Sequence, residues 1–176
     1  MVRAALFNML VALCLLSSGC ASSEVTISSP HVGLAQIEKP INEKLPSPGK
    51  YLFFSFQSES PQIDTQENLL QLRVNLVKGD KITAYSIGRG PYVTDGTKLE
   101  LHKKNGSSYA AFDFKELKLY LDDGGKVPLS NVDFDYIEIQ LTHPLMGLGS
   151  EFTSNKLTFQ RKDILEALDS SPRTFE

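Results

Sequence analysis

The sequence predicts a mainly β protein: an antiparallel β-sandwich or small barrel of about eight strands with a short C-terminal helix. Three observations predict it. From Lys50 onward apolar residues recur with period two, the spacing of a half-buried strand. The alternating runs stand roughly ten residues apart, separated by Gly, Asn, Asp and Pro that supply turn geometry. One late stretch, Arg161–Asp169, switches to helical spacing.

Taken in order, Tyr51–Phe56 is apolar at nearly every position and predicts an interior strand covered on both faces. Leu70, Leu72, Val74 and Leu76 alternate with Gln71, Arg73 and Asn75. The turn Lys78-Gly79-Asp80-Lys81 then leads into Ile82–Ile87, predicting a hairpin. Lys98–Lys103 alternates with Leu99 and Leu101 inward and Glu100 and His102 outward. Tyr109–Phe114 and Leu117–Leu121 follow, before the turn Asp122-Asp123-Gly124-Gly125. Asp133–Thr142 places Ile137, Ile139 and Leu141 on one face, and Lys156–Phe159 is a short strand. In Arg161–Asp169, Ile164, Leu165 and Leu168 form the helix stripe, with Asp163 near its start.

The chain of 176 residues is 41% apolar, enough for one domain with a packed core. Eighteen Lys and Arg against 21 Asp and Glu give a net charge of −3. That balance argues against nucleic acid, whose phosphates demand a concentrated basic surface. Two cysteines, Cys14 and Cys20, cannot make a disulfide scaffold.

The start of the chain reads as an address. One positive charge at Arg3 precedes the apolar run Ala4–Leu16, which as a helix spans roughly 20 Å, short of a ~30 Å hydrocarbon core. Small residues follow, the pattern of a secretory signal. Leu16-Ser17-Ser18-Gly19-Cys20 resembles the lipobox of bacterial lipoproteins, with Ser17 where Leu is usual in that family. The resemblance implies removal of residues 1–19 and lipidation of Cys20, leaving no free thiol in the mature chain. Ala21-Ser22-Ser23 lacks the Asp of inner-membrane retention, so it also implies the periplasmic face of the outer membrane.

Residues 20–49 carry Pro30, Pro40, Pro46 and Pro48 among many serines, and predict a flexible tether, with a short strand at Glu24–Ile27 as one variation. Packing of Val32–Ile41 on the domain is the alternative. Residues 50–169 form the β domain and 170–176 a polar tail.

Catalytic signatures are absent. There is no Gly-x-Ser-x-Gly elbow and no His-Glu-x-x-His, and His31, His102 and His143 are scattered. Asn131, Asp133 and Asp135 match the opening of a calcium loop, but Tyr136 and Thr142 stand where its Gly and Glu belong. No metal, cofactor or catalytic residue is expected. Two segments predict contact with a partner. Gly88–Tyr92, a bulge or wide connection, offers Arg89 and Tyr92, residue types enriched at binding hot spots. His143–Gly149 offers Leu145, Met146 and Leu148 in a Gly/Pro-rich loop.

The function expected is that of a non-catalytic binding or assembly module, held to the membrane by its lipid and engaging an envelope protein. A carrier of an apolar ligand, lined by Phe53, Phe54, Phe56, Phe112, Phe114 and Phe134, is the second reading. An envelope hydrolase is the third.

Overall fold

The computed structural model describes residues 25–39, 46–61, 63, 70–100, 108–121, 123–142 and 153–175. Among them the chain forms β1 (Ser28–Ile37), β2 (Gly49–Gln57), β3 (Gln71–Lys78), β4 (Lys81–Thr94), β5 (Leu99–Glu100) and β6 (Ser108–Asp113). Next come β7 (Lys118–Tyr120), β8 (Lys126–Pro128), β9 (Tyr136–Thr142), β10 (Leu157–Gln160), the helix α1 (Arg161–Asp169) and β11 (Arg173–Phe175). Among the described residues the fold is mainly β with one short α-helix, as the alternation and the helical spacing of 161–169 predict.

Eight strands follow one path, β10-β9-β3-β4-β6-β2-β1-β11, and β5 attaches to β4. The sheet curls into a half-barrel. β7 and β8 form a separate hairpin. Neighbours on the path run antiparallel except β11, which lies parallel to β1.

Both faces of β2 are buried, for a reason its sequence contains. Leu52, Phe54 and Phe56 enter the larger core with Leu72, Val74, Leu76, Ile137, Ile139 and Leu141. Tyr51 and Phe53 enter a second cluster with Ile37, Tyr92, Phe112 and Phe175. The predicted hairpin is present, with Val77 opposite Ile82 and Leu72 opposite Gly88. The helix has the predicted bounds. Its start is a reciprocal cap between Gln160 and Asp163.

Two boundaries differ from expectation. Residues 28–37 are not tether but β1, paired with β2 from Val32 opposite Phe54 to Ile37 opposite Gly49. Pro30 falls where this register shifts, so its missing N–H breaks no continuous ladder. Gly33 is needed because a Cβ there would stand 2.6 Å from the Phe53 ring. Before β1, Val25 and Ile27 are fully buried. The Asn155 side chain acts as a strand partner, accepting from Ile27 N at 2.7 Å and donating to Ile27 O at 2.9 Å. The tail also joins the fold. Phe175 is buried on β11, its ring 5.3 Å from Phe112 and 5.4 Å from Phe53.

Candidate functional site

Strand β4 is long because it serves two partners in turn. Residues 81–88 pair with β3 on one side. Pairing with β6 on the other side begins only at Arg89, opposite Phe112. A register shift between Arg89 and Tyr92 is the bulge that Gly88 and Gly90 predict. β6 then stops at Asp113, and the chain turns away through Phe114, Glu116 and Leu117, all at positive φ. Three non-glycine residues in the left-handed region hold strain, which concentrates where function fixes the backbone.

That departure splits the sheet. A cleft of about 770 Å³ opens between β4 and the turn leading into β7, within the size range of ligand sites. Tyr85, Ser86, Ile87 and Arg89 line one wall, and Lys115, Lys118 and Tyr120 the other. Tyr85 is 67% exposed, Ile87 57% and Tyr120 59%. Large apolar side chains exposed together on the rim of one hollow mark a contact surface.

Asp113, the last residue of β6, lines the cleft. It is 9% exposed. Its Oδ1 accepts from Ser86 Oγ at 2.9 Å and from Phe114 N at 2.7 Å. Its Oδ2 is buried with no hydrogen-bond partner among the described residues. Burial pushes this carboxyl up to about 6, against the two hydrogen bonds and the Arg89 charge that favour its ionised form. A half-satisfied buried carboxylate costs stability, and one in a cleft is a functional candidate on physical grounds.

The sequence-predicted contact residues divide. Arg89 is exposed and lines the cleft. Tyr92 is only 3% exposed, packs 5.9 Å from Phe112, and is pushed up to about 12 by burial. Tyr92 is therefore a core residue and not a contact: β4 continues through the bulge and turns this ring inward. Leu145, Met146, Leu148 and Cys20 lie outside the described residues.

Elsewhere, the acidic residues near β9 are engaged. Asp133 pairs with Lys78, and Asp135 accepts from Gly79 N at 2.7 Å. Lys78 holds the Asp133 carboxyl below its ordinary range. Among the described residues no group of three or more His, Cys, Asp or Glu could hold a metal ion. His31 packs edge-on to Phe53 at 5.9 Å. The six phenylalanines of the carrier reading are all buried and pack in the two clusters, Phe54 against Phe159 at 5.2 Å and Phe56 on Tyr109 at 5.8 Å.

Sequence reasoning missed Asp113, Ser86, Tyr85, Ile87 and Tyr120. Two signals pointed to them: Tyr85 and Ile87 share the outward phase of β4, and Asp113 ends an otherwise apolar strand. Comparison with protein-family models, curated proteins and solved structures found no match.

Proposed function

We propose that this protein is a lipid-anchored lipoprotein on the periplasmic face of the outer membrane. There it acts as a non-catalytic binding module for an envelope protein, and the cleft beside β4 is its contact surface. The observation that carries the binding half is the gathering of exposed Tyr85, Ile87 and Tyr120 with Arg89 around one hollow. Isolated exposed apolar residues need no explanation, but three on the walls of one cleft do. The address rests on the pattern ending at Cys20.

The fold changes how such an anchor would work. Only Ala21–Glu24 stand between Cys20 and the buried Val25. The five steps from Cys20 to Val25 reach at most about 18 Å, so the lipid holds the domain close to the bilayer surface. Contact is then made with components in or close to the membrane, where confinement raises effective concentration and modest affinity suffices. One acyl chain binds weakly and reversibly, whereas two or more anchor durably.

Fractionation tests the address. The full chain is expected in the membrane fraction and the Cys20→Ala variant in the soluble periplasm. Membrane partitioning that survives Cys20→Ala contradicts the lipid anchor.

A further inference from the structure

We propose that the open side of β4 accepts an extended segment of a partner protein as an added strand, one that alternates apolar residues and carries a carboxylate. The proposal rests on reading the protein as a binding module and goes on to the chemistry of what it binds.

Four observations converge. First, β3 and β6 flank β4 in the sheet, yet β6 pairs only from Arg89 onward and β5 only at Val93 and Thr94. Among the described residues no strand therefore pairs with the β6 side of residues 81–88. Unpaired backbone N–H and C=O groups along a strand are a template for another chain. Second, the cleft lies along this side, bounded by Phe114, Lys115 and β7 rather than filled by them. Five residues of added strand need roughly 17 Å at about 3.3 Å each, the length of Thr83–Ile87, since the backbone of Phe112 already lies against Gly88. Third, Tyr85 and Ile87 stand in phase on one face of β4 with Arg89 following them. A strand lying alongside meets Tyr85 and Ile87 at alternate residues, and Arg89, whose own place opposite is taken by Phe112, lies diagonal to the end of the guest. Fourth, Arg89, Lys115 and Lys118 border the cleft, and among the described residues the one carboxylate lining it, Asp113, is buried and bound to Ser86 and Phe114. The accessible charge is positive and selects an acidic residue in the guest. Backbone pairing supplies affinity in such complexes, and alternate side chains supply specificity.

The test uses the purified full chain in mild detergent and a fluorescein-labelled nonapeptide, Gly-Ser-Glu-Thr-Val-Thr-Val-Ser-Gly, ordered for antiparallel addition. Saturable anisotropy is expected, with slower deuterium uptake across residues 82–88. N-methylation of one alternate set of peptide amides should weaken binding by about tenfold or more, and of the other set by less than about threefold. A Glu-to-Lys peptide should bind about tenfold more weakly to the natural chain and recover on Arg89→Glu. The peptide-side changes keep the test valid even where a protein variant folds poorly. Equal tolerance of both N-methylated sets, unchanged exchange at residues 82–88, or no saturable binding overturns strand addition. Protection of residues 82–88 by phosphatidylglycerol vesicles but not by peptide overturns it too, in favour of a lipid surface. If strand addition fails while Cys20→Ala still releases the protein and a partner still crosslinks at the cleft, the module reading stands. If the peptide binds while Cys20→Ala stays on the membrane, the strand-addition proposal stands and the anchor falls.

Discussion

Replacing Asp113 with Asn removes a charge that the fold holds at a cost. The carboxyl rises from 3.8 to about 6 because it is buried, with Oδ2 lacking a partner. Each pKa unit is worth about 1.4 kcal/mol, so the ionised form is disfavoured in the folded state by about 3 kcal/mol. The sign follows from proton binding. Between pH 4 and 6 the folded protein holds the Asp113 proton and the unfolded chain has released it. Stability from this group is therefore full below about pH 4, falls as pH rises through 6, and stays low above. Asn keeps an oxygen for Ser86 and Phe114 N, but its amide sits where Oδ2 had no partner, which returns about 1 kcal/mol of the gain. The net expectation at pH 7.5 is stabilisation by about 2 kcal/mol, a rise in Tm of about 4–8 °C for a domain of this size. Urea unfolding of both proteins from pH 4 to 8 is the assay, and the difference between the two curves isolates Asp113 from other titrations. A variant less stable than the natural chain at pH 7.5, or a difference that does not change between pH 4 and 6, would refute the buried-carboxylate account.

Other consequences are open to the same methods. Arg161 donates to Val132 O at 2.6 Å, Phe134 O at 3.3 Å and Ser130 O at 3.2 Å, and its guanidinium lies 4.6 Å from the centre of the Phe134 ring. Arg161→Ala should cost about 2–4 kcal/mol, and Arg161→Lys should recover less than half, because a point charge cannot reproduce the fork. Gly33→Ala forces a methyl to 2.6 Å from the Phe53 ring and should destabilise by about 1–3 kcal/mol, read from the urea midpoint. Phe175→Ala should cost about 3 kcal/mol and lower Tm, whereas a free tail would show no change. Ile87→Lys leaves stability within about 0.5 kcal/mol because its side chain is exposed, yet should weaken partner binding, checked by thermal melts beside a binding titration.

Where one face of the chain is buried, period two made the fold legible. The alternation of β9 reads directly as Ile137, Ile139 and Leu141 inside, and the doubly apolar β2 as a strand covered on both sides. β1 escaped because Pro30 and its neighbouring serines resemble a linker, while its partner lies across a sequence gap that local pattern cannot see. Phe175 escaped because a short apolar position at a chain end has no period to display. Tyr92 was misread for a related reason: a Gly-rich bulge inside a strand has the composition of a loop, and only the register shows which way the ring points. The cleft was illegible as a unit. Its walls come from β4, β6 and the turn into β7, and it exists because two strands diverge. Arg89 alone was picked out, as a residue type rather than as part of a site.

Site-specific photo-crosslinking in the membrane-anchored chain tests the central claim most directly. A photoreactive phenylalanine would replace Tyr85, Tyr120 or the exposed Leu165 of α1, a helix packed against β1 and β10 that does not line the cleft. A cleft that serves as the contact surface gives discrete adducts to one envelope protein from Tyr85 and Tyr120 and none from Leu165. Adducts from Leu165, with Tyr85 and Tyr120 silent, would contradict it.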